Sequence, residues 1–183
     1  FEPGDVYIFN DPYGGGTHCN DVKLIRPIHF GGKLVAFNSA TGHWPDVGGA
    51  LPGSFNPQAK DCYSEGLRIP PMRIFKNDEL DRTVMALIEL NMRTGSERVA
   101  DIYAQHRAGL LLQERLIGLL ESHGNKTIQA LFADVFDYTE TMFRAQVAEL
   151  PDGSYEFEDF SDCDVIHPDR PRIRIHCCMT ITG

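Results

Sequence analysis

The feature that most constrains how this 183-residue chain folds is that its residue pattern changes twice. Residues 79–150 contain no proline, and their apolar residues recur at steps of three and four. Residues 1–78 hold most of the prolines and glycines, with short apolar runs between them, and from residue 151 onward the apolar residues tend to alternate. Steps of three and four indicate helices, whereas alternation and short runs bounded by turn residues indicate strands. The pattern therefore predicts strands, then helices, then strands.

This order predicts an α+β fold. We expect a mixed, mainly antiparallel sheet region, with a segment of three antiparallel helices inserted between the strands. The chain is expected to form a single region in which 1–78 carries the functional loops, 79–150 the helices, and 151–183 strands that lead into a continuation outside this sequence. The first predicted strands are Val6–Phe9, Val22–Ile28 and Lys33–Phe37, with a hairpin turn at 30–33, and the predicted helices cover about 80–88, 99–120 and 128–142.

Composition and charge exclude some classes of function. Seventeen Lys and Arg against 26 Asp and Glu give a net charge of -9, which argues against nucleic acid as a partner, because phosphate binding requires clustered cations. No apolar run reaches the length of about 18 residues that a membrane-spanning helix needs. The five cysteines show no C-x-x-C spacing, which favours a reduced, cytoplasmic protein.

Two segments of the glycine-rich first third carry the densest chemistry. In each, a histidine precedes an aspartate by three residues: His18 with Asp21, and His43 with Asp46. Each pair lies at the end of a predicted strand, so pairing of those strands would bring the two segments together. Imidazole and carboxylate groups are ligands of zinc, manganese and iron. The alternative for each pair is a hydrogen-bonded couple with a structural role.

A second set of polar residues follows in the same third of the chain. Glu65 is a candidate general base, and Arg68 a candidate group for holding an anion. A surface ion pair is the alternative explanation for these two. The three glycines at 14–16 are not followed by the Lys-Ser/Thr of a phosphate loop, and no G-x-S-x-G motif for a serine nucleophile is present.

A series of short motifs runs along the chain: Pro3-Gly4-Asp5-Val6, Asn10-Asp11-Pro12-Tyr13, Gly15-Gly16-Thr17-His18, Asp21-Val22, His43, Asp46-Val47-Gly48-Gly49, Pro52-Gly53-Ser54, Glu65-Gly66-Leu67-Arg68-Ile69-Pro70-Pro71, Asn91 with Arg93, and Asp101 with Ala104-Gln105. In order and spacing they resemble the hydantoinase B and 5-oxoprolinase family, to which the alpha subunit of acetone carboxylase is related. Cys19 departs from the larger aliphatic residue usual in the family. Members are several times longer, so we expect both ends of the family's length to lie outside this sequence.

The resemblance implies a two-part enzyme. A partner subunit or domain of the hydantoinase A type uses ATP to phosphorylate a cyclic amide or a carbonyl compound, and the hydantoinase B part completes the reaction. It also implies a divalent metal (Zn²⁺, Mn²⁺ or Fe²⁺) held by residues similar to His18, Asp21 and His43, with Asp11 and Asp46 close by. Asp11 is a further candidate ligand, and Asp46 a further candidate catalytic group.

The expected function is therefore ATP-dependent hydrolysis of a cyclic amide of the hydantoin, N-methylhydantoin or 5-oxoproline type, in a cytoplasmic hetero-oligomer. Two alternatives remain open at this point. One is the alpha-type subunit of an ATP-dependent acetone or acetophenone carboxylase, and the other is a non-catalytic assembly module.

Overall fold

The structure is a computed structural model that describes residues 1–182. The chain divides into two compact units, one formed by residues 1–120 and one that begins at residue 121. The mixture of helices and strands confirms the predicted α+β class. In chain order the elements are β1 (Val6–Phe9), β2 (Asp21–Phe30), β3 (Lys33–His43), β4 (Met72–Lys76), β5 (Glu79–Leu80), α1 (Arg82–Leu90), α2 (Gly95–His123), α3 (Asn125–Val147), β6 (Gly153–Phe160) and β7 (Arg174–Ile181).

The first unit is built on a five-stranded sheet in the order β3-β2-β1-β4-β5. Every neighbouring pair is antiparallel, so this sheet is antiparallel throughout rather than mixed. Its longest pairing is the β2–β3 hairpin, which turns at Gly31 and Gly32, both with positive φ. At its open end, Asp21 lies directly opposite His43. The hairpin therefore places one residue of each predicted segment side by side.

The core of the first unit lies on one face of this sheet. Alternate residues of β1 and β2, namely Val6, Ile8, Val22 and Leu24, are almost fully buried, as strand periodicity requires. Ile102 of α2 is fully buried in the same cluster. Burying each aliphatic side chain of this size contributes about 1.5–3 kcal/mol. Packing against the helices thus fixes which face of the hairpin points inward.

One boundary differs from the sequence-based prediction. Leu80 fits the apolar spacing of the first helix, yet it lies in β5 and pairs with Phe75 of β4. Asp81 ends the strand, because its carboxylate accepts hydrogen bonds from the backbone N–H groups of Thr83 and Val84 and so caps α1. Strands β4 and β5 were not predicted, because a strand of five residues and one of only two carry little periodic signal.

A buried cation links the sheet to α2. Arg26 occupies an inward position of β2, where its guanidinium contacts Asp78 Oδ1 at 2.5 Å and donates to His106 Nδ1 at 3.1 Å. The His106 ring stacks on Phe75, with ring centroids 4.0 Å apart. Burial and the adjacent charge of Arg26, helped by Arg107 and opposed by Asp78, lower the pKa of His106. His106 therefore packs in its neutral form.

This packing predicts a loss of stability on acidification. The unfolded chain takes up a proton at the ordinary histidine pKa of about 6.5, whereas folded His106 does so only at lower pH. The stability contributed by neutral His106 is thus present above that value and is lost as pH falls through its folded pKa. We expect His106→Gln, which retains an acceptor for Arg26, to lose less unfolding free energy than wild type between pH 7.5 and 5.5 in urea titrations. Equal losses would contradict this assignment.

The second unit contains α3 and an antiparallel hairpin of β6 and β7. The hairpin pairs Gly153 with Ile181 at one end and Phe160 with Arg174 at the other. Both strands lie where alternation predicted them, although β7 begins one residue later than the alternating run. Among the described residues, no helix is long and apolar enough to cross a membrane.

Candidate metal centre

Three side chains converge at the open end of the β2–β3 hairpin. Asp21 begins β2, His43 ends β3, and His18 lies in the loop one turn before Asp21. Asp21 Oδ1 is 2.9 Å from His43 Nδ1, and its Oδ2 is 3.0 Å from His18 Nδ1. Ligand atoms from all three residues lie within 4.8 Å of one another. The sequence-predicted ligands His18, Asp21 and His43 are thus brought together by one cross-strand pair and one loop.

The backbone beside this group is locked by a reciprocal pair of hydrogen bonds. The side-chain amide of Asn20 donates to the carbonyl oxygen of Trp44 at 2.7 Å, and the Trp44 backbone N–H donates to the carbonyl oxygen of Asn20 at 2.8 Å. Trp44 is 1% exposed. Because Asn20 precedes Asp21 and Trp44 follows His43, these bonds extend the hairpin beyond the ligand pair.

A buried asparagine holds the loop that carries His18. Asn10, at the end of β1, donates through Nδ2 to the carbonyl oxygens of Cys19 at 2.7 Å and Leu67 at 2.8 Å. Its Oδ1 accepts from the backbone N–H of Ile69 at 2.6 Å. All polar atoms of the Asn10 side chain are therefore used, and they tie the loop of His18 to the segment that carries Arg68.

Asp11 lies outside the three-residue group. Its Oδ1 accepts from the backbone N–H of Tyr13 at 3.3 Å and is 3.5 Å from Arg68 Nε. The following glycines allow the chain to fold back here, because a Cβ at Gly16 would stand 2.7 Å from the Asp11 carbonyl oxygen. In this arrangement Asp11 orients Arg68 and begins the turn that leads to His18.

Asp46, the aspartate of the second predicted pair, organises a loop. Its Oδ1 accepts from the backbone N–H of Gly48 and its Oδ2 from that of Gly53, both at 2.8 Å, and Arg93 Nη1 lies 3.0 Å from Oδ2. Burial alone would raise the pKa of this carboxyl, but these hydrogen bonds and the charge of Arg93 outweigh it and hold the pKa below its usual value. The structure therefore places Asp46 as an ionised anchor of residues 46–53.

A cavity of about 310 Å³ opens beside His18. Glu65 lines it together with His18, Thr17, Tyr13 and Lys60. The candidate base Glu65, the cationic side chain of Lys60 and the imidazole of His18 therefore line the same small, polar cavity. This space is large enough for a small ring compound.

Arg68 lies next to this cavity between two aromatic rings. Its guanidinium carbon is 5.7 Å from the centre of the Tyr13 ring and 5.4 Å from that of Tyr63. Nη1 contacts Cys62 Sγ at 2.8 Å. Cation–π contacts of this kind restrain a guanidinium, which suits it to hold an anion.

The comparison with known proteins decides the family. The model of the family described as hydantoinase B/oxoprolinase matches residues 1–183, the whole chain. This chain belongs to the hydantoinase B/oxoprolinase family.

Individual relatives agree with this family. The beta subunit of caprolactamase from Pseudomonas jessenii is 35% identical over 152 residues, which cover 83% of this chain and 26% of the relative. The crystal structure of the ATP-dependent caprolactamase of that organism superposes with a TM-score of 0.82 at 33% identity, covering 87% of this chain and 28% of that one. The B-type subunit of a putative D-/L-hydantoinase from Pseudomonas sp. (strain NS671) is 32% identical over 186 residues, 100% of this chain and 31% of the relative.

A solved structure of lower sequence identity shows a likeness of fold alone. The nucleotide-free structure of an ATP-dependent acetone carboxylase has a TM-score of 0.87 at 21% identity, covering 99% of this chain and 25% of that one. The chain thus spans between a quarter and a third of the length of each of these four matches.

The three-residue group of this chain fits a divalent cation by its donor chemistry. Two imidazoles and one carboxylate suit zinc, manganese or iron and leave positions for other ligands. The carboxylate of Asp21 is recessed, with 17% of its side chain exposed, whereas the side chains of His18 and His43 are 50% and 63% exposed. The donors therefore open toward solvent on the imidazole side, where a small molecule can approach.

Local sequence pattern assigned no role to four polar residues, Asn10, Asn20, Arg93 and Gln105. Each makes hydrogen bonds to backbone atoms of the candidate site or of its loops. Three of them, Asn10, Arg93 and Gln105, stand in the motifs that resemble the family, but neither the motifs nor the residue pattern indicated what they contact. Their partners lie as far as 83 residues away, so local pattern could not identify them.

Proposed function

We propose that this chain is the metal-bearing region of an ATP-dependent cyclic-amide hydrolase of the hydantoin, N-methylhydantoin or 5-oxoproline type. The observation that carries the proposal is the group of His18, Asp21 and His43 beside a small polar cavity, in a chain of the hydantoinase B family. A relative similar to this chain is named as an ATP-dependent caprolactamase, which supports a cyclic amide as substrate.

His18, Asp21 and His43 would hold a divalent cation. When bound, such a cation polarises a carbonyl group and lowers the pKa of water. Glu65 shares the cavity wall with His18, so its carboxylate is the candidate base that removes a proton from the attacking water. Arg68, held between Tyr13 and Tyr63, would bind an anionic group of the substrate.

In this proposal Asp46 and Asp11 act indirectly, by positioning other parts of the site. Asp46 holds the loop of residues 46–53 through Arg93 and two backbone N–H groups. Asp11 directs the guanidinium of Arg68. Neither aspartate needs to touch the substrate in order to shape the site.

The proposal includes a partner ATPase subunit or domain of the hydantoinase A type. Two relatives of this chain are themselves named as single subunits of larger enzymes, which supports a hetero-oligomer. Phosphorylation of the amide oxygen by the partner would create a good leaving group, so that hydrolysis proceeds without a covalent intermediate on this chain. The cytoplasm is the proposed location of the complex.

An assay of the full complex tests this function. The chain is co-purified with its hydantoinase A-type partner and supplied with ATP, a divalent metal and hydantoin, 5-oxoproline or caprolactam, while ring opening is followed by chromatography. We expect ring opening that depends on ATP and on both components, and a rate lowered about 10²–10⁴-fold by Glu65→Gln. ATP-dependent ring opening that is unaffected by replacing His18 with alanine would contradict the proposal.

The second candidate is an ATP-dependent ketone carboxylase. The fold match to acetone carboxylase, which covers nearly the whole chain, favours keeping it. Incorporation of labelled bicarbonate into acetone or acetophenone, with no ring opening of lactams, would favour this candidate. Absence of metal from the purified complex would instead favour a non-catalytic assembly module.

A further inference from the structure

A glutamine of helix α2 reaches across to the hairpin that carries the candidate metal ligands. Gln105 Nε2 donates hydrogen bonds to the carbonyl oxygens of Val22 in β2 and Ala40 in β3, both at 2.9 Å. Its Oε1 accepts from the indole Nε1 of Trp44 at 3.2 Å. Both donor hydrogens and the acceptor of this amide are therefore used, each by a different stretch of the hairpin.

These contacts flank the ligands themselves. Val22 directly follows Asp21, and Trp44 directly follows His43. Asp21 and His43 are opposite partners in the ladder. The amide of Gln105 thus contacts the residues that directly follow Asp21 and His43, and it also contacts Ala40, three residues before His43 in β3.

The strand next to His43 is shaped to receive this amide. Gly42 precedes His43, and a Cβ at that position would stand 2.9 Å from Gln105 Cδ. Because three hydrogen bonds fix the end of the Gln105 side chain, it could not move aside without losing at least one of them. The absence of a side chain at Gly42 therefore leaves the space that the Gln105 amide occupies.

Helix α2 is itself firmly placed against the hairpin, so Gln105 projects from a rigid support. Ile102, on the preceding turn, is fully buried in the core. The Arg98 guanidinium carbon lies 5.8 Å from the Trp44 ring centre. His106, the next residue, accepts a hydrogen bond from Arg26 of β2.

We propose that Gln105 is a positioning residue that keeps Asp21 and His43 at the spacing needed to bind a divalent cation. This inference rests on the proposed metal site and adds to it a residue that touches neither the cation nor the substrate. The physical reason is that only a primary amide supplies two donors and one acceptor in one plane. Glutamate at 105 would lack the donors, and methionine would lack all three groups while filling similar space.

The test measures affinity for Zn²⁺ by competition with a chromophoric chelator, using the whole chain and its variants. We expect Gln105→Met and Gln105→Glu to bind Zn²⁺ about 10–100-fold more weakly than wild type, the loss typical of groups that orient metal ligands. The matched control is Gln113→Met. Gln113 lies on the same helix and accepts a long hydrogen bond of 3.4 Å from Arg26, away from the ligands. We expect its Zn²⁺ affinity to stay within twofold of wild type.

A second readout follows the same contact without metal. Trp44 is the only tryptophan of the chain, so its fluorescence reports directly on the Gln105 hydrogen bond. We expect the emission of the metal-free protein to shift in Gln105→Met and to remain unchanged in Gln113→Met.

If the Gln105 variants fail to fold, Gly42→Ala provides the same test, because its methyl group would displace the amide. The Gly42→Ala and Gln105→Met effects on Zn²⁺ affinity should be less than additive.

The outcomes separate the two proposals. Wild-type chain that binds Zn²⁺, with Gln105→Met and Gly42→Ala binding it equally well, would overturn the positioning role and leave the metal site standing. Wild-type chain that binds no Zn²⁺ would overturn both. Weaker binding in Gln105→Met and Gly42→Ala, but not in Gln113→Met, would support the role assigned to Gln105.

Discussion

Replacing Asp21 with asparagine is expected to remove bound divalent metal from the chain and, with it, turnover in the complex with the partner ATPase. Asp21 supplies the only carboxylate of the three-residue group and contacts both imidazoles, at 2.9 and 3.0 Å. An asparagine of the same shape lacks the negative charge and directs a donor N–H₂ group toward its neighbours. Because loss of a merely orienting group costs about 10–100-fold in metal affinity, loss of this ligand should cost more than about 100-fold.

Metal content by elemental analysis, with Zn²⁺ affinity by chelator competition, measures this effect. Asp11→Asn is the matched control, since it removes the same charge from a neighbouring residue outside the group. The fold should persist in Asp21→Asn, because its partners His18 and His43 are largely exposed, so that these contacts contribute only up to about 1 kcal/mol each. A variant with normal metal content and normal turnover would eliminate the proposed centre.

Replacing Arg93 with methionine is expected to lower the free energy of unfolding by more than the other substitutions described above. Arg93 donates through Nη1 to Asp46 at 3.0 Å and to the carbonyl oxygen of Leu51 at 3.1 Å, and through Nη2 to that of Gly49 at 2.7 Å. Only 9% of the Asp46 side chain is exposed, so removal of Arg93 leaves a nearly buried carboxylate without its counter-charge. We expect a loss of about 2–4 kcal/mol, below the upper range for fully buried pairs because 39% of the Arg93 side chain remains exposed.

Urea unfolding monitored by circular dichroism checks this value. The control is Arg144→Met on α3, whose ion pair with Glu140 is exposed and spaced four residues apart, and which should cost no more than about 0.5 kcal/mol. Equal losses in Arg93→Met and Arg144→Met would refute the anchoring role of Asp46.

The same anchor makes stability depend on pH. The folded pKa of Asp46 is lowered, so the stability contributed by its carboxylate is present above the unfolded carboxyl pKa of about 3.9 and is lost as pH falls through the folded pKa.

Local pattern predicted the elements whose signals lie within a few residues. The strand Val6–Phe9 has the predicted bounds, because a short apolar run stands between turn residues. The turn at Gly31 and Gly32 was likewise predicted, because two adjacent glycines favour a turn. Both glycines adopt the positive φ that other residues avoid. Strand β3 continues to His43 rather than ending at Phe37, because its last residues are held by pairing with β2.

The sequence by itself indicated the order of strands and helices and which residues are candidate metal ligands, since both depend on residue type and short spacing. Spacing alone could not separate the two histidine–aspartate pairs, and the choice of His18, Asp21 and His43 as candidate ligands came from the family resemblance. His18, Asp21 and His43 lie together because two strands are paired in one register, whereas Asp46 turns to Arg93, 47 residues further along the chain. Gln105 reaches Trp44 across 61 residues. Such contacts were decided by the tertiary structure alone, because burial and hydrogen bonding between distant segments leave no periodic trace in the sequence.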